Sequence, residues 1–268
     1  MRRLKIAINS LMLWSCPTDQ AVRLAAHYGF SGIEVWMEHV RFFDTPITSI
    51  AAAVKDGHQR LTIHGPSWDI NLCALNQNIR QQSLKELRTA IEVAAELQAS
   101  DLTIHPGRAS LPEPYQKLSL DIMVDSLAQL ADYANNLGVI LSIELMEPVK
   151  GELITEPHQL NALIEKLPYP MKTTLDVAHL QSEADFPFYF ESLHHISKIH
   201  FSNRSHTQYH LPLATGIFNC HRLLKEVLPT GIPVIIEGFD NSPDHSLVRA
   251  TLAFLQADSD LQTLLMEV

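Results

Sequence analysis

From one end to the other, the chain alternates short apolar runs rich in Val, Ile and Leu with longer segments whose apolar residues recur at intervals of three and four. A short run of this kind fits a parallel strand covered on both faces, and a longer one an amphipathic crossover helix. Eight such units predict closure into a single (β/α)8 barrel spanning residues 1–268, close to the roughly 250 residues typical of that fold. The strands are expected at Leu4–Asn9, Gly32–Trp36, Leu61–His64, Leu102–His105, Ile140–Leu145, Thr173–Asp176, Ile199–Phe201 and Pro233–Glu237. The helical segments include Asp19–Tyr28, Asn78–Leu97, Leu118–Leu137, Glu156–Leu167, Cys220–Leu228 and Asp244–Gln256, with Thr18 expected to cap the first. Leu84, Leu87, Ile91, Ala94 and Ala95 should form the buried face of the second segment, and Pro187 leaves room for only a short sixth crossover helix. An open doubly wound sheet would favour a Gly-rich phosphate turn after its first strand, and the sequence has none.

Composition narrows the function classes. A formal net charge of −10 disfavours a nucleic-acid partner unless positive charge is concentrated locally or supplied by metal ions. Cys16, Cys73 and Cys220 are widely spaced and lack a CxxC pair, which argues against a thiolate zinc site and points to the cytoplasm. The basic start Met1-Arg-Arg followed by Ile6–Trp14 has the outline of a signal peptide, but Asn9 and Ser10 interrupt it and the segment is needed as the first strand. No stretch approaches the ~18 apolar residues of a membrane span. A homo-oligomer is compatible with the sequence.

The last residues of successive strands read Glu34, His64, His105, Glu144, Asp176 with His179, His200 and Glu237. Barrel enzymes assemble their sites at that end of the strands, so seven strands aim ionisable side chains at one mouth. Singly, each has an ordinary structural explanation. Jointly, several acidic groups in one cleft repel one another unless a cation neutralises them. Imidazole with carboxylate suits zinc, manganese or cobalt. Six histidines, His64, His105, His179, His200, His206 and His210, lie at strand ends or on the loops just beyond.

The motifs His64-Gly-Pro-Ser-Trp-Asp-Ile-Asn71, His105-Pro-Gly107, Ile143-Glu144, Leu175-Asp176-Val-Ala-His179, Ile199-His200-Phe-Ser-Asn203 and Ile236-Glu237-Gly together resemble the xylose isomerase-like barrel superfamily, which holds sugar isomerases and epimerases as well as endonuclease IV-like enzymes. The resemblance implies that Glu144, Asp176, His200 and Glu237 form a shared metal site. It matches His64 and His105 to the additional ligands of the trinuclear zinc enzymes, and His179 to either a zinc ligand or a sugar contact. The endonuclease branch expects an Asp-Arg-His triplet where this chain has Gln208-Tyr209-His210, and an aromatic residue where it has Ser67. Both departures count against abasic-site (AP) endonuclease activity on DNA.

The leading expectation is a sugar or sugar-phosphate isomerase or epimerase, with Glu144 and Glu237 as the acid/base pair and His179 orienting a hydroxyl. The alternatives are an endonuclease IV-like phosphodiesterase, with His64, His105 and His210 among its ligands, and a polyol-binding or lyase-type barrel. Trp14, Trp36 and Trp68, beyond the first three strands, are candidates for packing on sugar C–H faces. Glu34 is a candidate hydroxyl contact, and Arg108 and Arg204 are candidate partners of an anionic group.

Overall fold

The computed structural model describes residues 3–266, so the basic start at residues 1–2 and the final two residues lie outside it. Eight parallel strands close into a barrel in sequential order, β1 to β8. They are β1 (Leu4–Asn9), β2 (Phe30–Trp36), β3 (Arg60–His64), β4 (Leu102–Ile104), β5 (Leu141–Glu144), β6 (Lys172–Asp176), β7 (Ile196–Phe201) and β8 (Val234–Ile236). The helices are α1 (Thr18–His27), α2 (Met37–Phe42), α3 (Ile47–Gly57), α4 (Gln77–Glu96), α5 (Gln116–Asn136), α6 (Pro157–Ile164), α7 (Phe186–Ser192), α8 (Cys220–Val227), α9 (Ser246–Gln256) and α10 (Ser259–Leu265).

The expected strands are all present, with small shifts at their ends. β4 and β8 stop one residue short, so His105 and Glu237 stand just past the last rung, and the Glu237 N–H still donates to the Phe201 carbonyl at 3.1 Å. Thr18 does not cap α1: it is the first helical residue, and Pro17 holds the cap position with no side-chain bond. α4 is capped by Asn76, whose side chain accepts from the Asn78 and Ile79 N–H groups. Its expected face is buried at Leu84, Leu87, Ile91 and Ala94, while Ala95 is only half-buried and Val93 lies deeper. α7 is short, seven residues, with Pro187 in its first turn, where a missing N–H costs nothing.

The chain packs as two compact units. One comprises the chain up to Thr62 with Asp176–Phe186 and everything from Lys198 onward; the other comprises Ile63–Leu175 with Pro187–Ser197. In both, strand residues alternate. Ile33, Val35, Ile63, Ile104, Ile143, Leu175, Ile199 and Ile236 are buried apolar residues, each worth about 1.5–3 kcal/mol when fully covered. In β3 to β7 the positions on either side of them are polar, whereas β2 and β8 also carry Gly32, Trp36 and Ile235 there. In the second unit Thr103 Oγ1 lies 3.1 Å from Thr174 Oγ1, which lies 2.7 Å from Ser142 Oγ, so the row facing away from the helices is a hydrogen-bonded layer. In the first unit the corresponding row carries Lys198 and His200 on β7 and Glu34 on β2, all three fully buried.

One long loop is held by one side chain. Asn203, 1% exposed, pairs its backbone with Leu211 in both directions at 2.9 and 2.7 Å. Its amide donates to the Leu213 and Phe218 carbonyls at 3.1 Å each, and its Oδ1 accepts from the Arg204 and Phe218 N–H groups. Gly216 sits at φ 148°, where a Cβ would overlap both Asn203 Oδ1 and the Arg204 carbonyl. Replacing Asn203→Ala orphans these buried backbone groups, with an expected loss of ~2–3 kcal/mol in urea unfolding. Limited proteolysis between residues 204 and 218 should accelerate in the variant, and an unchanged cleavage rate would contradict the anchoring role.

A second expectation concerns His39, which is fully buried and stacked on Trp14 at 5.0 Å between ring centres. Its Nε2–H donates to the Cys16 carbonyl at 2.8 Å, and burial lowers its pKa from 6.5 to about 4. Below pH 6.5 the unfolded chain takes up a proton that the folded chain refuses until about pH 4, so stability falls as the pH drops through that window. The contribution is roughly 3 kcal/mol over the whole window. Denaturation curves of His39→Gln should show a shallower acid dependence than the unaltered protein; parallel curves would rule the contribution out.

Candidate metal centre

The strand-end residues gather into clusters that alternation builds. Residues two apart on a strand share a face, and the polar row continues into the cluster residues: Thr62 precedes His64, Thr103 precedes His105, Ser142 precedes Glu144, Thr174 precedes Asp176 and Lys198 precedes His200, each by two. Four of these pairs begin with a hydroxyl and one with Lys198, and this polar-apolar-polar spacing is present in the sequence itself, a signal beyond the terminal residue of each strand.

In the unit that contains β3 to β5, His64 Nε2 and His105 Nε2 each lie 3.3 Å from the same oxygen, Glu144 Oε2. The two rings stand nearly perpendicular, 86°, with centres 5.1 Å apart. His64 is fully buried, Glu144 nearly so, and His105 is about one-third open. His64 Nδ1 is 2.7 Å from the Gly65 carbonyl, which can only accept, so Nδ1 carries the proton. In the neutral ring the Nε2 lone pair therefore faces a carboxylate oxygen. That approach is repulsive unless a cation or a proton lies with them, and the donor set fits a divalent ion.

In the other unit, the Asp176 side chain opens the turn Val177–His179 by accepting the Ala178 N–H at 2.6 Å through Oδ1. Its Oδ2 faces His179 Nε2 at 3.6 Å and His210 Nδ1 at 3.7 Å. His210, delivered by the loop that Asn203 anchors, also lies 3.5 Å from Glu237 Oε2. His200 is held between two carboxylates, with Nε2 2.9 Å from Glu34 Oε2 and Nδ1 3.1 Å from Glu237 Oε1. Ligand atoms of His64, His105 and Glu144, of Asp176, His179 and His210, and of Glu34, His200 and Glu237 lie within 4.8 Å of one another in each group. Each group has the mixed imidazole and carboxylate donors that first-row divalent metals take.

The expected substrate contacts are sorted differently by the structure. Glu34 is not open to a hydroxyl: it is fully buried, with Oε1 2.7 Å from Lys198 Nζ and 3.2 Å from Thr62 Oγ1. Arg204 is neither a solvated loop residue nor a waiting anion partner. It is 4% exposed, donates to the Leu180 and Ser205 carbonyls at 2.7 and 2.9 Å, and stacks its guanidinium on Tyr209 at 4.4 Å. These carbonyls take two of its donors, which strand-end position alone does not reveal. Arg108 is exposed, with its backbone fixed by the Asn71 side chain. Trp14 and Trp36 are buried with Leu11, and Trp14 also touches Phe42 and Phe239. Trp68 stands half exposed. His206 is on the surface.

Known proteins resemble the chain along nearly its whole length. An uncharacterised protein of Methanocaldococcus jannaschii is 22% identical over 243 residues, covering 87% of this chain and 82% of that one. Fructoselysine 3-epimerase of Shigella flexneri is 21% identical over 229 residues, 80% of this chain and 82% of its own. The solved structure of a D-tagatose 3-epimerase-like protein superposes with a TM-score of 0.79 at 20% identity, covering 97% of this chain and 99% of that one. The family description "Xylose isomerase-like TIM barrel" matches residues 22–258, which takes in all the cluster residues just described. With its closed eight-stranded sheet and with His, Asp and Glu at the strand ends, the chain belongs to the xylose isomerase-like TIM barrel family.

Proposed function

We propose that this protein is a divalent-metal-dependent sugar or sugar-phosphate isomerase or epimerase, acting as one barrel domain in the cytoplasm. The observation that carries the reading is the placement of Glu144 and Glu237, two almost wholly buried carboxylates that each face imidazole nitrogen, at 3.3 and 3.1 Å. Likeness to fructoselysine 3-epimerase and to a D-tagatose 3-epimerase-like protein supports the substrate class. Glu144, Asp176, His200 and Glu237 would hold one ion of zinc, manganese or cobalt. Bound there, it would polarise the substrate carbonyl and stabilise negative charge on the adjacent oxygens.

The protein's own groups then move the proton. Glu144 takes it from the carbon beside the carbonyl, and the C–H electron pair passes into the enediolate. Glu237 returns a proton, to the opposite face of the same carbon for an epimerase or to the neighbouring carbon for an isomerase. His179 orients a hydroxyl, and half-exposed Trp68 offers a ring to the C–H face of the sugar. The free cysteines fit a reducing compartment; burial pushes the thiols of Cys73 and Cys220 up to about 12, so they stay protonated and unreactive. Among the described residues, no helix is long and apolar enough to cross a membrane.

A second reading, phosphodiester hydrolysis by several ions, is favoured by the two further groups, His64 with His105 and Glu144, and Asp176 with His179 and His210. The net charge of −10, and Gln208 and Ser67 in place of the acidic and aromatic residues, count against it. Incubation of the metal-loaded protein with ketoses in deuterated water should place deuterium beside the carbonyl. Glu144→Gln and Glu237→Gln should each slow that exchange by about 100-fold or more. About one ion per chain is expected by elemental analysis. Two or three ions together with incision of an abasic duplex, and no exchange, would replace the first reading with the second.

A further inference from the structure

We propose that Tyr209, backed by Arg204, is a positioning residue: its ring holds the His179 imidazole at the angle from which that imidazole meets a substrate hydroxyl. The inference rests on the sugar reading above, in which His179 orients a hydroxyl, and adds the residue that orients His179.

All the groups involved lie in one compact unit, on the turn after β6 and the loop after β7. Ser205 folds the start of that loop into a tight turn. Its hydroxyl accepts from the Thr207 and Gln208 N–H groups at 3.2 and 3.0 Å, and its own N–H donates to the Gln208 carbonyl at 2.8 Å. The chain is thereby turned back on itself and the Arg204 guanidinium lies over the Tyr209 ring, 4.4 Å from its centre. Arg204 is only 4% exposed, and a guanidinium taken out of water is the kind that gains most from an aromatic face. The same guanidinium donates to the Leu180 carbonyl at 2.7 Å. Leu180 follows His179 in the chain, so one buried cation fixes both the backbone next to His179 and the ring beside its side chain.

The Tyr209 and His179 rings meet edge to face, with centres 6.1 Å apart and planes at 84°, inside the range in which aromatic pairs attract. His210 makes a second steep contact with that imidazole, at 5.4 Å and 75°. His179 is 6% exposed and Tyr209 is half-buried. The outer torsion of a histidine side chain is soft, and ring contacts of this kind are what restrict it. An arginine at position 209 would set two guanidinium groups against each other, whereas a phenol ring takes the Arg204 charge on its face. Ring packing of this kind does not depend on which nitrogen of His179 carries a proton.

Three measurements decide the matter. In the unaltered protein, nuclear Overhauser contacts should join the Tyr209 and His179 ring protons; their absence overturns the proposal whether or not any variant folds. Tyr209→Leu removes the ring and keeps apolar bulk, and Tyr209→Phe keeps the ring. With Zn2+ bound and D-2-ketohexoses and their phosphates as substrates, deuterium exchange should show KM raised about 3–10-fold in the Leu variant with kcat little changed, because binding is lost equally from ground and transition states. Tyr209→Phe should restore the unaltered KM, and zinc content should be equal in all three proteins; a Phe variant as impaired as the Leu one, or zinc lost from the Leu variant, overturns the positioning role. In a His179→Ala background, Tyr209→Leu should change kcat/KM by less than about 2-fold, because its effect runs through the missing imidazole. The full loss persisting in that background overturns the proposal. Ring contacts without exchange into any of these sugars overturn the sugar reading itself, and the task given to Tyr209 falls with it.

Discussion

The structure depends on the alternation of side chains along strands that close on themselves. In a closed parallel barrel the outward face of every strand lies under helices, so it must be apolar, and the inward face has no solvent to retreat to. A polar residue placed inward must find its partner among the residues of neighbouring strands. This chain places hydroxyls and a lysine there and satisfies them. Thr103, Ser142 and Thr174 bond to one another in one unit, and Lys198 bonds to Glu34 in the other. Each row then ends on an imidazole or carboxylate, because the next inward position is the last one before the loop.

Charge at those ends is balanced in two different ways. Glu34 has a buried cation in Lys198, at 2.7 Å, and its second oxygen lies 2.9 Å from His200 Nε2. Glu144 and Glu237 face imidazole nitrogens as well. The Gly65 carbonyl holds the His64 proton on Nδ1, so its Nε2 meets Glu144 with a lone pair.

Much of this was legible in the sequence, for a physical reason. Strand-end position sufficed to bring His64, His105, Glu144, Asp176, His200 and Glu237 to the ends of β3 to β8, because a parallel strand three to seven residues long leaves little choice of where its last inward side chain points. The row beneath them was equally regular but chemically quiet, and threonine in a strand reads as propensity before it reads as a hydrogen-bonded layer. The surroundings of Arg204 and Glu34 were less legible for a related cause. Both stand where a substrate contact would, yet their partners, Leu180 and Lys198, are distant in sequence or two places along another strand, and pairing of that kind is not encoded in spacing. The tryptophans divide on the same ground: nothing in the sequence tells Trp14, which is buried against His39, from Trp68, which is half exposed.

Loops are where this family can change its chemistry, and the loop after β7 shows how. Strand residues are restricted by alternation, so a barrel superposes with a TM-score of 0.79 on one with which it shares 20% of its residues. A loop answers only to the satisfaction of its own backbone groups. Here Asn203 and Arg204 meet that need from inside, through bonds to carbonyl and N–H groups of the loop and of the turn after β6. The loop is thereby shaped without using a charged residue at its tip, and His210 is delivered beside Asp176 and Glu237. An acidic residue at Gln208 would add charge to that corner and favour a further cation; an amide leaves an imidazole equally suited to a hydroxyl.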